Sequence, residues 1–279
     1  MEKPKILVIV GPTASGKTSL SVKLAKHYNG EVISADSRQV YRGLDLGTGK
    51  VTHEEMQGIP HHLLDVADPR ETYTVTDFVR DGRAAIQDIH ARGKLPIIAG
   101  GTFFYVDALL GRIVAPAVPP NPLLRTELEK LSNEELFARL ETADPARAAA
   151  IDRHNPRRLV RALEIVAAWG TVPEPMTNEL YDAHIIGIQI DKEQLHKNIH
   201  NRLIARFDDG MLDEVRNLHA HGLPYERMED LGLEYRYIAR YLQGKLSYEE
   251  MVQTLEIKIR QFAKRQMTWL KRDTSIEWR

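Results

Sequence analysis

Lys17 and Thr18 close the run Gly11-Pro12-Thr13-Ala14-Ser15-Gly16-Lys17-Thr18, in which two glycines, a lysine and a hydroxyl stand at G-x-x-x-x-G-K-[ST] spacing. That spacing builds a phosphate cradle. Successive backbone N–H groups and a helix N-terminus face the anion, the lysine adds a point charge, and Thr18 Oγ is placed to hold Mg²⁺. Asp36, with Ser37, Arg38 and Gln39 beside it, follows a second apolar run. A carboxylate there faces the phosphate site and can accept a proton from an incoming nucleophile. An Asp-Ser pair after a strand also serves as a plain turn or helix cap. Kinases, NTPases and other diphosphate-handling enzymes share such a loop, so these residues define a grip on a diphosphate or triphosphate and leave the reaction open.

The surrounding pattern supplies the elements that position them. Ile6 to Val10 is a continuous β-branched and apolar run, as expected of a strand buried on both faces. A helix is predicted from Thr18 to Tyr28, a short strand over 31–34, a second helix over 75–91 and a third strand over 95–99, ending at Gly100-Gly101-Thr102. Strand, helix, strand, helix, strand predicts an α/β fold: a P-loop NTPase-like parallel sheet covered by helices. Ligands of such sheets sit at the carboxyl ends of the strands, where all three polar segments emerge.

From Val114 the character changes. Pro116, Pro119, Pro120 and Pro122 stiffen the chain, and helix starts then follow closely: Asn121-Pro122, Asp144-Pro145 and Asn155-Pro156 each pair an N-cap with proline, and Ser132 with Glu135 fits a capping box. The last of these helices is expected to end near Trp169. Residues 114–182 read as an all-helical insertion domain, with 1–113 plus 183–279 as the P-loop core domain. His184 to Ile190 returns as a strand, and helices follow over 192–207, 211–221 and from Ser247 onward, the last with one apolar stripe and basic outer faces.

Composition narrows the classes. The absence of cysteine among 279 residues removes disulfides, thiolate metal sites and cysteine nucleophiles. A formal net charge of −1 gives no global footprint for nucleic acid and leaves only local basic stripes to supply one. The apolar run after Met1 is too short for a signal-peptide core and no stretch suits a membrane span, so a cytosolic protein with no membrane partner is expected; a monomer is expected as well. His61 and His62 point opposite ways on a strand and make a poor zinc pair.

The chain is similar to the tRNA dimethylallyltransferases, also called tRNA isopentenyltransferases, along essentially its whole length. The likeness rests on Gly11–Thr18, the run from Asp36 to Thr48, Gly58-Ile59-Pro60-His61-His62-Leu63-Leu64-Asp65, Gly100-Gly101-Thr102, the run from Asn155 to Glu164, and Ala263-Lys264-Arg265-Gln266-Met267-Thr268-Trp269. It departs at Phe103-Phe104-Tyr105, where the family usually has Gly-Leu-Tyr, and at Leu231–Arg236, in place of a Gly-Tyr-Arg-Gln-like stretch.

The resemblance implies transfer of a dimethylallyl group from dimethylallyl diphosphate to the exocyclic amine of the adenosine just 3′ of the anticodon, with Mg²⁺ as cofactor. It implies that Gly11–Thr18 hold the donor diphosphate, that Lys17 and Arg206 neutralise it, and that Asp36 is the base. The anticodon stem-loop would be contacted by Asp36, Ser37, Arg38, Gln39, Thr102 and Arg125, and by Arg157, Arg158, Leu159, Val160 and Arg161. Lys264-Arg265-Gln266 reads either as a further contact to the tRNA backbone or as a helix exterior, and Trp269 as core. Three other readings stay open on the residues alone: prenyl transfer to free AMP, ADP or ATP, a small-molecule kinase, and a nucleotide-switched binding protein.

Overall fold

The computed structural model describes residues 3–114, 116, 118–174 and 177–279. β1 (Lys5–Val10) is buried from its second residue onward, as a central parallel strand must be. It leads through the glycine loop to α1 (Lys17–Tyr28) and β2 (Gly30–Ser34), then to α2 (His53–Met56), β3 (His61–His62), α3 (Val75–Ala91), β4 (Leu95–Ala99) and α4 (Phe103–Leu110). The α3 boundaries follow from a capping box: Thr74 accepts the Asp77 amide, and the Asp77 carboxylate accepts the Thr74 amide.

Two compact units share the chain, one comprising residues 1–113 with 178–279 and the other Val114–Thr177. The second contains α5 (Pro122–Leu128), α6 (Asn133–Ala143), α7 (Pro145–Ala150) and α8 (Pro156–Trp169). Asn121, Ser132, Asp144 and Asn155 each cap a following helix by accepting a backbone amide. Leu128, Leu136, Leu140, Leu159 and Leu163 form this unit's own core. Residues 178–182 belong with the sheet unit and not with the insertion. Asn178 N donates to Gly111 O at 2.7 Å and Leu180 N to Leu110 O at 3.2 Å, which ties the chain back before β5 (Asp182–Gly187) begins.

After β5 come α9 (Lys192–Asp208), α10 (Met211–Ala220), α11 (Tyr225–Met228), α12 (Leu233–Leu242), α13 (Tyr248–Leu270) and β6 (Ile276–Trp278). Among the described residues the strands make one six-stranded sheet ordered β3-β2-β4-β1-β5-β6, parallel at every pairing. One face packs Leu7, Ile9, Val32 and Ile97 against Ala25 of α1. The other packs Val8, Ile33 and Ile98 against Phe78 and Ile86 of α3 and Leu109 of α4. Each such isoleucine contributes about 2 kcal/mol by burial. A third cluster, built on Leu203, Met211, Tyr235, Met251 and Leu255, knits α9 through α13 together.

One charged group lies inside the sheet edge. Glu31 on β2 is 1% exposed, and its carboxylate is held by Arg92, by Lys94 Nζ at 2.7 Å and by His62 Nε2 at 2.7 Å. The Arg92 hydrogen bonds, with help from Lys94 and His62, outweigh desolvation and hold the Glu31 carboxyl far below its ordinary value of 4.5. His62 thus anchors a strand edge. A carboxyl depressed in the folded state contributes stability that is complete above about 4.5 and is lost as pH falls from there toward the lower folded value. Glu31→Gln is expected to cost about 1–3 kcal/mol at neutral pH, and the gap from wild type should narrow on acidification; urea melts at pH 7 and pH 4 check it.

Candidate active site

The loop between β1 and α1 takes its shape from backbone conformation. Ala14 has φ 62° and Gly16 φ 91°, which turn the amides of the following residues inward and open the helix with its N–H groups toward the site. Lys17 Nζ reaches back over the loop and donates to Gly11 O at 3.0 Å and Pro12 O at 2.7 Å. Burial, with the positive Arg202 nearby, lowers its ammonium from 10.5 to about 8, against a small opposing pull from Asp36. Ser15 Oγ is buried and finds no hydrogen-bond partner among the described residues. These are the marks of a site waiting for an anion: a buried ammonium and an unpartnered hydroxyl both improve when an oxyanion arrives.

Asp36 leaves the carboxyl end of β2. Its Oδ1 accepts the amides of Arg38 at 2.8 Å and Gln39 at 3.4 Å, which fixes the carboxylate plane. Ser37 N donates to Thr102 Oγ1 at 3.0 Å, and Thr102 N donates to Ala35 O at 3.1 Å, so the ends of β2 and β4 are stitched together. Gln39 bridges to the opposite wall: its side chain accepts from Ser34 Oγ at 3.0 Å and donates to Gly49 O at 3.2 Å. Arg38 is half-buried, and burial lowers its guanidinium, with Tyr41, Asp36 and Tyr105 pulling the other way.

The P-loop, Asp36, Gln39 and Gly101 line one cavity of 490 Å³, together with Arg202 of α9 and Gln266 of α13. Arg202 is the cation that the sequence did not single out. Burial and the neighbouring Arg206 lower its guanidinium to about 10. Arg206 sits one turn further on, donating to Glu234 Oε1 at 3.4 Å, and it packs against Gly49 so closely that a Cβ there would lie 1.7 Å from Nη2. Burial also raises the Glu234 carboxyl, with Arg206 opposing. The divergent segment 231–236 therefore has a place: Glu234 pairs Arg206, and Tyr235 donates to Glu214 Oε1 at 2.7 Å. Glu214 in turn accepts the amides of Asp45, Leu46 and Gly47 at 3.1, 2.6 and 3.0 Å, holding the loop that carries Thr48 and Gly49 to the cavity wall.

Gln266 is not on a helix exterior: it is 4% exposed and turned into the cavity, accepting from Thr13 N at 2.7 Å. Trp269 is half-buried, donating from Nε1 to Asp107 Oδ2 at 3.1 Å.

Within the insertion unit, the candidate residues divide. Arg157 and Arg158 are exposed in the first turn of α8. Leu159 and Val160 are 0% and 7% exposed and packed in the unit's core, so their side chains hold the helix in place, and any contact of theirs with a nucleic acid would have to come from the backbone. Arg125 and Arg161 both serve Glu164, which is 2% exposed. Arg125 binds it with two hydrogen bonds at 2.7 and 2.9 Å, and Arg161 reaches it at 3.3 Å while donating to Val118 O at 2.8 Å. Their charge is at least partly engaged in holding α5 and α8 together.

A parallel sheet with an anion cradle at one strand end and a fixed carboxylate at the next defines a P-loop group-transfer enzyme. The IPP transferase family model matches residues 39–273, and a second model, isopentenyl transferase, matches residues 4–71. The chain belongs to the tRNA dimethylallyltransferase (IPP transferase) family, whose members are prenyltransferases. It is 42% identical over its full length to a tRNA dimethylallyltransferase of Thermomicrobium roseum, covering 87% of that protein. It is 46% identical to tRNA dimethylallyltransferase 1 of Geotalea uraniireducens, over 98% of this chain and 91% of the other. Among solved structures, the tRNA isopentenylpyrophosphate transferase of Bacillus halodurans matches with a TM-score of 0.76 and 39% identity, over 99% of this chain and 90% of that one. A eukaryotic dimethylallyltransferase captured acting on tRNA matches with a TM-score of 0.82 and 30% identity, over 96% of this chain and 70% of that one.

Proposed function

We propose that this enzyme transfers the dimethylallyl group of dimethylallyl diphosphate to the exocyclic amine of the adenosine 3′ of the anticodon, releasing diphosphate. The observation that carries this reading is the shared cavity, which Lys17, the P-loop, Arg202 and Asp36 line together. The adenine amine is a poor nucleophile because its lone pair is delocalised into the ring. As its nitrogen bonds to C1 of the allyl group, the C1–O bond breaks, the electron pair leaves with pyrophosphate, and the amine proton passes to Asp36 Oδ2. Oδ1 is already committed to two amides, which leaves the second oxygen for that proton. Lys17, Arg202 and the loop amides face the charge that grows on the leaving group, where preorganised donors are most effective. Arg206 adds to that field from one turn away and sets the geometry of Gly49.

A divalent cation fits this site. Thr18 stands in the first turn of α1 on the cavity wall, and Ser15 supplies a second hydroxyl. Among the described residues no cluster of three or more His, Cys, Asp or Glu side chains is arranged to hold a metal, so the ion would depend on the loop hydroxyls, water and the substrate's own phosphate oxygens. When bound, Mg²⁺ neutralises part of the pyrophosphate charge. Thr18 would orient it and Lys17 would share the phosphate oxygens.

The target base has to leave its stack to present its amine, so the tRNA needs a hold outside the cavity. Arg157 and Arg158 are the residues we assign to that hold. Replacing both with alanine is expected to weaken tRNA binding and to flatten its salt dependence by about one unit for each phosphate no longer neutralised; binding measured over a salt series checks this, and an unchanged slope returns both residues to the solvated surface. Arg161→Ala would act differently, by loosening Glu164.

The reading itself is tested by offering the protein Mg²⁺ and dimethylallyl diphosphate with unmodified tRNA, AMP or ATP, and analysing the nucleotide and the nuclease fragments of the tRNA by mass spectrometry. Added mass on one adenosine next to the anticodon supports it. Mass on AMP alone, or transfer of a γ-phosphate from ATP with no prenylation, overturns it.

A further inference from the structure

Two side chains from outside the P-loop grip it on either side of the Thr13–Ala14 peptide. Thr13 N donates to Gln266 Oε1 at 2.7 Å, and Asn198 Nδ2 donates to Ala14 O at 3.1 Å. Between those two hydrogen bonds lies Ala14, an 8%-exposed non-glycine residue held at φ 62°, in the left-handed region that alanine disfavours. The other end of the Gln266 amide donates to Gly101 O at 2.9 Å. A Cβ at Gly101 would lie 2.7 Å from Gln266 Nε2 and 3.9 Å from Asp36 Oδ2, so a larger residue there would push the Gln266 amide aside. Asn198 is itself oriented by Gln194, whose amide donates to it at 2.7 Å one turn earlier on α9.

We propose that Gln266 and Asn198 are positioning residues, a clamp from α13 and α9 that holds Thr13–Ala14 in the conformation required to receive diphosphate and, through Gly101, sets that cradle against Asp36. The proposal rests on the donor reading above. Its chemistry is preorganisation. An unclamped Ala14 would relax toward ordinary backbone, and the amides of the following residues would swing from the anion. The bond from Thr13 N to Gln266 also means that this amide is already satisfied, so the phosphate draws on the amides beyond it. Misplacing the cradle relative to Asp36 affects donor capture first, because displacement of about 1 Å in a positioned group is enough to cost up to about 100-fold.

The test uses the full chain and calorimetric titration with inorganic pyrophosphate and Mg²⁺, so that binding is read apart from turnover. Gln266→Ala and Asn198→Ala are each expected to weaken pyrophosphate binding about tenfold or more and to raise the donor KM, with the tRNA KM unmoved. The deciding variant is Ala14→Gly, which removes the conformational penalty that the clamp offsets. Placed in the Gln266→Ala or the Asn198→Ala background, it is expected to recover part of the lost affinity. Asn198 is only partly buried, so Asn198→Ala keeps the test open should Gln266→Ala fold poorly. Equal pyrophosphate affinity in wild type and both single variants overturns the clamp, as does a loss that Ala14→Gly leaves untouched. Failure of wild type to bind pyrophosphate at all would instead remove the donor reading on which the clamp depends.

Discussion

Asp36→Asn is expected to lower single-turnover prenyl transfer by about 10²–10⁴-fold while leaving tRNA affinity within about twofold of wild type. Asparagine is the informative replacement. Its carbonyl can still accept the amides of Arg38 and Gln39, now made at 2.8 and 3.4 Å, so the turn after β2 survives and only the proton acceptor is lost. Asp36→Ala would strip both amides of their partner and mix a loop effect with a chemical one. Rapid-quench kinetics under saturating donor, set beside equilibrium tRNA binding, separate the two quantities. A parallel fall in both would show that Asp36 serves the architecture of the turn and not the transfer.

Lys17→Ala should reduce kcat/KM for the donor by about 10²–10³-fold, the usual cost of one preorganised charge facing a leaving group. Lys17 also sets a pH dependence. Its ammonium is lowered to about 8, chiefly by burial, so above that pH the free enzyme holds a neutral lysine and must take up a proton to bind the diphosphate. Donor affinity is therefore expected to fall by up to about tenfold per unit as pH rises past about 8, with net proton uptake on binding there. Titration in buffers of different ionisation enthalpy measures that proton directly. A donor affinity that stays level to pH 10, or a Lys17→Ala variant with wild-type kinetics, would contradict the role given to this residue.

What could be read in the sequence was local. The strand before the P-loop, the α3 limits and the proline-started helices of the insertion all follow from signals within a turn or two of each boundary: a buried run, a capping box, an Asn-Pro pair. α4 was missed because six of its eight residues are buried, which leaves no polar face to show a helical period; Phe103, where the chain departs from its relatives, is one of them. The candidate site was legible where it is contiguous and hidden where it is assembled. Gln266 meets Thr13 across 253 positions and Asn198 meets Ala14 across 184, distances over which no spacing rule operates. The signal available for α9 was weak but real, since Asn198, Arg202 and Arg206 recur every fourth residue on one face. Leu159 and Val160 are legible as core within a segment whose arginines are polar. The helical period of α8 already placed those two on the apolar side.

The most direct test is a crystal structure of the protein with Mg²⁺ and a thiolodiphosphate analogue of the donor, which binds without reacting. The diphosphate should lie against the amides of residues 15–18, with Lys17 Nζ released from the Gly11 and Pro12 carbonyls onto a phosphate oxygen, and with the allyl C1 facing Asp36 Oδ2. Density for the analogue in any other cavity, with Lys17 still bonded to its own loop, would contradict the account.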